Sequence, residues 1–310
     1  MPAADEVLVR VHATSVNPYD WHHMRGEPYI ARLMPGMGLR RPTIGVLGCD
    51  MAGQVEAVGK DVTEFRPGDG VLALLQRGGF AEYVSVRENL LVPKPKNLTY
   101  EQTAAIPMAA VTALLSLSDV GRIQSGQHVL VNGASGGVGT FAVQIARALG
   151  ATVTGVCGPR NVDLVRSIGA DDVIDHSTHD FTRDGRRYDL LLDIAGRRSL
   201  PACRRVLTPK GTMVVVGGPA GRLCQPAGHM IATLAVAPLV SQRVVTVNAV
   251  EPARWKQNLT TLTQLAEDGK VTPVIDRCYP FEEIRTAIGY QEEGHARGKV
   301  VVVIRAANSQ

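Results

Sequence analysis

The sequence predicts an α/β fold in which a parallel β-sheet carries helices on both faces and follows a β-rich first segment. From about residue 128 to residue 216, short apolar runs alternate with amphipathic segments, a pattern typical of βαβ units. One of these runs leads through a glycine-rich turn into a helix. The first hundred residues instead contain short runs broken by glycine and proline, which favour a small barrel or a sandwich.

In the first segment, alternation and turn residues predict three strands and then a helix. The strands are predicted at Val7–Val11, Gln54–Val58 and Asp69–Leu74. Thr99 is predicted to be a helix N-cap because Gln102 follows three residues later, the spacing of a capping box. The helix is expected to continue through an alanine-rich segment to about Leu117.

The alternating region predicts parallel strands joined by helical crossovers. Its strands are predicted at His128–Asn132, Thr152–Cys157, Leu190–Asp193 and Thr212–Val216, and its helices at Val138–Leu149, Asn161–Ile168 and Ser199–Leu207. In the last part of the chain we expect helices at Trp255–Glu267 and Phe281–Tyr290 and a strand at Lys299–Ile304.

The composition is that of a globular protein with a substantial core. The 310 residues exceed one average domain, so two domains or one large α/β unit are expected. Hydrophobic residues make up 45% of the chain, charged residues 20%, and the net charge is +4. No basic run is interleaved with aromatic residues, so we expect no nucleic-acid partner.

The cysteines and apolar stretches predict a reducing, cytoplasmic location. The five cysteines form no CxxC pair and have no metal-finger spacing with a histidine, and their odd number argues against a disulfide framework. The first residues carry acids and no long apolar core, so we expect no secretory signal. Met230–Val240 is too short to span a bilayer, so we expect no membrane insertion.

A glycine-rich turn is the strongest functional signal. The run Val129–Asn132 leads into Gly133-Ala134-Ser135-Gly136-Gly137-Val138-Gly139 and then into a helix. Glycines let such a turn close and let the backbone approach a pyrophosphate, whose charge faces the helix N-terminus. The flanking strand and helix favour dinucleotide binding over a glycine-rich loop of another α/β protein.

The end of the next strand indicates which dinucleotide binds. NAD-binding proteins place an acid about 20 residues after the turn, whereas here Cys157 is followed by Gly158-Pro159-Arg160-Asn161, without a carboxylate. Arg160 can offer a fork of N–H donors to a 2′-phosphate, and Asn161 a neutral donor. The alternative is that Arg160 is one solvated arginine among many. We interpret the segment as favouring NADP(H).

Seven segments carry a family likeness in the right order along the chain. They are Leu8–Asp20, Gly48–Gly53, Phe65–Asp69, Gly78–Tyr83, the glycine turn, Ser167–Asp171 and Glu293–Lys299. Together they resemble the medium-chain dehydrogenase/reductase superfamily, and within it the zinc-independent quinone oxidoreductase-like branch, near the mitochondrial NADPH oxidoreductases of the reticulon-interacting type. The resemblance implies a Rossmann doubly wound parallel sheet inserted in a GroES-like β-barrel domain, with the active site in the cleft between them.

The resemblance also implies the domain limits. We expect a GroES-like catalytic domain in residues 1–108, a Rossmann NADP-binding domain in residues 109–248 and a return to the catalytic domain in residues 249–310. The family usually has a β-hairpin before the strand that here begins at Val7, and residues 1–6 are too few to supply it. Either the start is misassigned or the barrel lacks this hairpin, which would leave unpaired backbone groups at an edge.

Zinc-using members of the superfamily place a cysteine after the first strand pair and a His-Glu after a glycine. Here these positions read Asn17-Pro18-Tyr19-Asp20 and Gly48-Cys49-Asp50. A catalytic zinc needs three protein ligands, whereas Cys49 and Asp50 supply at most two. His22 and His23 are alternative ligands, although paired loop histidines are usually solvated. We therefore expect no zinc and no metal site.

Without a Lewis acid, alcohol oxidation loses the stabilisation of its alkoxide, but reduction of a quinone or a conjugated C=C bond needs only hydrogen-bond donors. We therefore predict an NADPH-dependent oxidoreductase that transfers hydride to a quinone or an α,β-unsaturated carbonyl. The resemblance implies that Asn17 positions the nicotinamide or the oxygen that gains charge. Tyr19 is a candidate proton donor, with water and a mere packing role as the alternatives.

The resemblance implies four groups of cofactor contacts. They are Ser135, Gly136, Gly137 and Val138 at the pyrophosphate; Gly158, Arg160, Asn161 and His176 at the adenosine phosphate; Ala195, Gly217 and Gly218 over the nicotinamide; and Asn248, His295, Ala296 and Arg297 closing over the cofactor. His176 stands where relatives often carry tyrosine, so stacking on adenine, a phosphate contact and a plain surface role remain open.

Two other functions remain open from the sequence. One is a zinc-type alcohol dehydrogenase, and the other is an NADPH-binding regulatory protein with little turnover. The resemblance also implies a homodimer, for which the strand near Val244–Val247 is a candidate edge. The physiological substrate is not decided, because its pocket is assembled from loops whose side-chain directions the sequence does not give.

Overall fold

The computed structural model describes residues 1–27, 29, 45–218, 241–248 and 251–304. These residues fall into two compact units. The first takes its described residues from Met1–Gly26, Gly36–Val111 and Val250–Gln310, and the second takes them from Glu27–Pro35 and Thr112–Ala249. The domain limits at residues 108 and 248 stay predictions.

The described residues form strands and helices with the following bounds. The strands are β1 Glu6–Val16, β2 Asp50–Val58, β3 Gly70–Leu74, β4 Tyr83–Arg87, β5 Val92–Pro93, β6 His128–Asn132, β7 Thr152–Cys157, β8 Asp172–Asp175, β9 Tyr188–Asp193, β10 Leu207–Val215, β11 Arg243–Thr246, β12 Ile275–Pro280 and β13 Lys299–Val303. The helices are α1 Pro18–Arg25, α2 Tyr100–Ala104, α3 Pro107–Leu114, α4 Gly137–Ala148, α5 Val162–Ser167, α6 Leu200–Arg205, α7 Trp255–Glu267 and α8 Ile284–Glu292.

The first unit is built on a seven-stranded sheet in the order β12-β13-β1-β2-β3-β5, with β4 also paired to β1. Strand β1 runs antiparallel to β13, β2 and β4. Its alternating residues Val7, Val9 and Val11 are buried in one apolar cluster with Met51 and Val71. The alternation visible in the sequence therefore places one face of β1 in the core.

The second unit contains a six-stranded sheet in the order β11-β10-β9-β6-β7-β8, with every neighbouring pair parallel. This order is that of a doubly wound dinucleotide-binding sheet. Val129, Leu130 and Val131 of β6 are completely buried, as is Phe141 of α4, because a parallel strand is covered on both faces. The predicted parallel α/β sheet is confirmed.

One helix boundary predicted from the sequence is wrong. The capping box is present, since Thr99 Oγ1 accepts from the Gln102 amide at 3.3 Å and Gln102 Oε1 accepts from the Thr99 amide at 3.0 Å. However, α2 ends at Ala104 instead of continuing to Leu117. Pro107 has no N–H to extend the helix, and it begins the separate helix α3 instead.

Among the helices described here, none combines the length and the apolar character needed to cross a bilayer. The apolar stretch Met230–Val240 lies outside the described residues.

Candidate active site

The glycine turn joins β6 to α4 at the carboxyl edge of the parallel sheet. A Cβ atom on Gly139 would lie 2.0 Å from the Gly133 carbonyl oxygen, so the turn closes only with glycine there. A Cβ atom on Gly136 would have the Gly133 carbonyl oxygen, 3.6 Å away, as its nearest neighbour in the described part of the chain, and any residue can adopt the backbone φ of −83°. The fold therefore requires Gly139 but leaves open space at Gly136, at the N-terminus of α4, where a phosphate would approach.

The four predicted adenosine-end residues follow the adjacent parallel strands β7 and β8, and Ser135 follows the neighbouring strand β6. Asn161 Nδ2 donates to Ser135 Oγ at 3.1 Å, and a Cβ on Gly158 would lie 3.5 Å from His176 Nε2. Asn161 Oδ1 is buried and has no hydrogen-bond partner among the described residues. A buried polar atom without a partner destabilises a fold unless a ligand supplies the hydrogen bond. Arg160 is exposed and makes no ion pair within the described part of the chain. These groups fit a polar ligand with an anionic end.

The residues predicted over the nicotinamide also lie close together. The amides of Ile194 and Ala195 both donate to the Asn132 carbonyl, at 3.0 and 3.3 Å. A Cβ on Gly217 would lie 2.3 Å from the Ile194 carbonyl oxygen, and the Cβ position of Gly196 is 2.4 Å from Gly218 Cα. Ala195, Gly217 and Gly218 therefore form one surface at the ends of β9 and β10.

The buried polar pair Asn132 and Asp193, which lies next to these residues, was not predicted from the sequence. Asn132 Nδ2 donates to Asp193 Oδ1 at 2.7 Å, and the Gly196 amide donates to the same oxygen at 3.0 Å. Asp193 is completely buried. The signal was available, because Asn132 and Asp193 each end an apolar strand run, where parallel strands meet at one edge.

The remaining predicted cofactor residues lie in separate places. Asn248 is exposed after β11 in the second unit, whereas His295, Ala296 and Arg297 precede β13 in the first. The Arg297 amide donates to Asp276 Oδ2 at 3.0 Å. Closure of these residues over a cofactor stays a prediction.

The first unit holds a buried polar cluster around Asn17, where β1 passes into α1. Lys299 Nζ lies 2.5 Å from Asn17 Oδ1 and 3.2 Å from Asp50 Oδ2. Asn17 Nδ2 donates to Asp50 Oδ2 at 2.8 Å, and Ser15 Oγ donates to the same oxygen. The other carboxylate oxygen, Asp50 Oδ1, accepts from the Met108 amide at 2.7 Å at the start of α3. Both oxygens of Asp50 are thus engaged.

The Asp20 side chain stabilises the first turn of α1 through hydrogen bonds to backbone amides. Its Oδ2 accepts from the Asn17 amide at 2.8 Å and its Oδ1 from the Gly48 amide at 3.2 Å. Burial raises the pKa of Asp20 to about 7, against the opposing effect of the hydrogen bond from Asn17. Asn17 itself is only 3% exposed. The structure therefore gives Asn17 a scaffolding role in this turn, and a direct contact with substrate or nicotinamide stays a prediction.

Tyr19 lies in the same turn and is half-buried. Its hydroxyl has no hydrogen-bond partner among the residues described, and burial raises its pKa, so the group keeps its proton. The Tyr19 ring lies 4.0 Å from that of His23, and His22 packs 3.7 Å from Trp21. Both histidines thus pack on aromatic neighbours.

Cys49 and Asp50, which stand where zinc-using members of the superfamily carry His-Glu, are also buried. Cys49 is completely buried, and desolvation raises the pKa of its thiol well above the usual range. Its Sγ accepts from Asn17 Nδ2 at 3.3 Å. The described residues contain no group of three or more His, Cys, Asp or Glu side chains placed to hold a metal ion.

The chain matches two family models, described as the alcohol dehydrogenase GroES-like domain over residues 3–96 and as zinc-binding dehydrogenase over residues 168–302. It is 36% identical to the mitochondrial NAD(P)H oxidoreductase RTN4IP1 of Mus musculus, across 96% of this chain and 81% of that protein. It is 32% identical to the chloroplast envelope quinone oxidoreductase homolog of Arabidopsis thaliana, across 97% and 90%. The crystal structure of CurK enoyl reductase superposes with a TM-score of 0.86 at 27% identity, covering 98% of this chain and 92% of that one.

The chain belongs to the medium-chain dehydrogenase/reductase superfamily. The match to these relatives extends over 96% and 97% of this chain. The prediction of an N-terminal GroES-like domain and of a parallel Rossmann-like sheet is confirmed. Oxidoreductase chemistry is the activity that these relatives share by name.

Proposed function

We propose that this protein is a zinc-independent, NADPH-dependent reductase of quinones or α,β-unsaturated carbonyls. The observation that carries the proposal is the glycine turn, whose packing requires Gly139 and leaves Gly136 open to a phosphate. The names of the relatives support the same class, since they include NAD(P)H oxidoreductases, quinone oxidoreductases and an enoyl reductase.

The residues at the sheet edge fit a phosphorylated dinucleotide. The backbone of residues 135–138 would hold the pyrophosphate. Asn161 Oδ1 has no hydrogen-bond donor within the described ranges, and a ribose hydroxyl can supply one. Arg160 is exposed and unpaired within the described residues, so its guanidinium can meet a 2′-phosphate. When bound, the reduced nicotinamide supplies a hydride. Ala195, Gly217 and Gly218 would support that ring.

The donor set near Cys49 does not fit a catalytic zinc, although one matching family is described as zinc-binding. Zinc binds a thiolate, and the buried Cys49 thiol has a raised pKa. The Asp50 carboxylate already accepts from Ser15, Asn17 and the Met108 amide and pairs with an ammonium. This arrangement supports reduction of a conjugated acceptor over zinc-assisted alcohol oxidation.

The chain's own part in the reaction is to supply a proton and hold the groups in place. A hydride from a bound reduced nicotinamide would add to the electrophilic carbon of the acceptor, which would move the π-electrons toward the carbonyl oxygen. A proton from the protein would then neutralise the negative charge of the resulting enolate or quinolate. The Tyr19 hydroxyl is the proposed donor because it is half-buried, protonated and without a partner among the described groups. Asn17 and Asp20 would hold the turn that carries it.

Two broader features remain proposals. Strand β11 is an edge of the parallel sheet in the described part of the chain, so we propose it as the contact of a homodimer. The compartment predicted from the cysteines is cytoplasmic, whereas the names of the relatives place those proteins in mitochondria and chloroplasts. Four cysteines in the described residues are free thiols. Free thiols accord with a reducing compartment, whether it is the cytoplasm or the interior of an organelle.

The test compares binding of NADPH and NADH to the purified protein, followed by turnover with 1,4-quinones and 2-enals. We expect NADPH to bind about 10 to 100 times more tightly than NADH, the worth of charge-assisted bonds to one phosphate. One NADPH should be consumed per acceptor reduced, without stoichiometric zinc by elemental analysis. Failure to bind either dinucleotide would refute the proposal, and tight NADPH binding without turnover would favour the regulatory function instead.

A further inference from the structure

The ion pair between Lys299 and Asp50 is buried, and the proposed reduction gives it no role so far. The two side chains are 3% and 0% exposed. Removal of such charges from water is unfavourable, and an apolar pair of similar size is often at least as stable. Net stability alone therefore does not account for an ammonium and a carboxylate at this place.

The pair fixes one orientation of the Asn17 amide. Lys299 Nζ lies 2.5 Å from Asn17 Oδ1, and Asn17 Nδ2 donates to Asp50 Oδ2 at 2.8 Å. A flipped amide would turn its NH₂ group toward the ammonium and its oxygen toward the carboxylate. Both contacts would then be repulsive, so the two charges select a single rotamer of Asn17.

Asn17 in turn fixes the start of α1. The backbone amide of Asn17 donates to Asp20 Oδ2 at 2.8 Å, and the backbone carbonyl of Asn17 accepts from the Asp20 backbone amide at 3.0 Å. Pro18 and Tyr19 lie within this closed turn. The contacts therefore run in sequence from the ion pair to Asn17 and from Asn17 to the backbone that carries Tyr19.

We infer that Lys299 and Asp50 form a positioning pair for the proposed reduction, acting through Asn17 on the turn that carries Tyr19. The inference rests on the proposed function, because it assigns the pair to the hydride-transfer step. It differs from a structural role in one respect. Removal of both charges together should preserve folding but should still lower turnover.

The decisive variant is the double substitution Asp50→Asn with Lys299→Met. Lys299→Met alone leaves a buried carboxylate without its cation and can fail to fold, whereas the double variant removes both charges and keeps a side-chain oxygen for the Met108 amide. We would measure the urea midpoint, the Kd for NADPH, and kcat and KM for a 1,4-quinone. Lys256→Met is the matched control, since it breaks the exposed Lys256–Glu64 pair, 2.6 Å apart, in the same unit.

We expect the double variant to keep its urea midpoint and to bind NADPH within about twofold of the parent, while kcat falls by about tenfold or more. Adding Asn17→Ala to it should lower kcat no further, because the pair acts through Asn17. The control should leave kcat unchanged.

Three results would overturn the inference. The first is a double variant whose kcat lies within about twofold of the parent, and the second is a double variant that does not fold. The third is a decrease in kcat on Asn17→Ala that is equally large in the parent protein and in the double variant. If instead the unmodified protein reduces none of the acceptors, it is the proposed function that fails.

Discussion

Replacing Gly136 by alanine separates what the fold requires of the glycine turn from what a ligand requires. Among the described residues, a methyl group there meets only the Gly133 carbonyl oxygen, at 3.6 Å, and the φ of −83° suits alanine. Alanine is a poorer N-cap than glycine, so we expect a loss of unfolding free energy below about 1 kcal/mol. The methyl would instead occupy the path by which a pyrophosphate approaches the backbone.

We expect Gly136→Ala to weaken NADPH binding by about 1–3 kcal/mol, the usual range for inserting a methyl into a close contact, which is about 5- to 150-fold in Kd. Gly139→Ala is the matched comparison. Its Cβ would lie 2.0 Å from a backbone oxygen, so it should destabilise the fold by at least about 1–3 kcal/mol.

Urea unfolding and a fluorescence titration with NADPH measure the two effects in the same preparations. If Gly136→Ala binds NADPH as tightly as the parent, the open space at this position does not serve a phosphate. If Gly139→Ala is as stable as the parent, the close packing in the turn has been misjudged.

Three further predictions concern single side chains. Arg160→Ala should weaken NADPH binding about 10- to 100-fold and leave NADH binding unchanged; equal losses for both would contradict a 2′-phosphate contact. The pKa of Asp20 is raised from 3.8 to about 7, so the folded chain holds a proton that the unfolded chain releases. The free energy of unfolding therefore falls as pH rises from about 4 to about 7, by at most about 1.4 kcal/mol per pH unit, and this contribution does not change further above the folded pKa. Asp20→Asn should flatten this slope between about pH 4 and pH 7 in urea unfolding, and an unchanged slope would assign the titration to another group. Tyr19→Phe should lower kcat for 2-enals about 100-fold with NADPH affinity unchanged; an unchanged kcat would assign the proton to water.

Features that depend on neighbouring residues could be predicted from the amino-acid sequence. Strand β7 and helix α7 have the predicted bounds, and the capping box at Thr99 is present. The glycine turn was recognised with its flanking strand and helix. These features are local, because periodicity, caps and turn glycines act within a few residues of the chain. The exception is the helix predicted to Leu117, where alanine-rich composition hid the break before Pro107.

Contacts between side chains that are distant in sequence became visible with the folded chain. Lys299 and Asn17 are 282 positions apart, and Asp50 lies 33 positions from Asn17. Their contact arises because β13 and β2 flank β1 in register, which brings the beginnings of β13 and β2 beside the end of β1. Strand pairing and register depend on the packing of the whole unit, and no local pattern encodes them. For the same reason, the sequence showed Asn17 as an isolated candidate, whereas the fold surrounds it with a carboxylate and an ammonium.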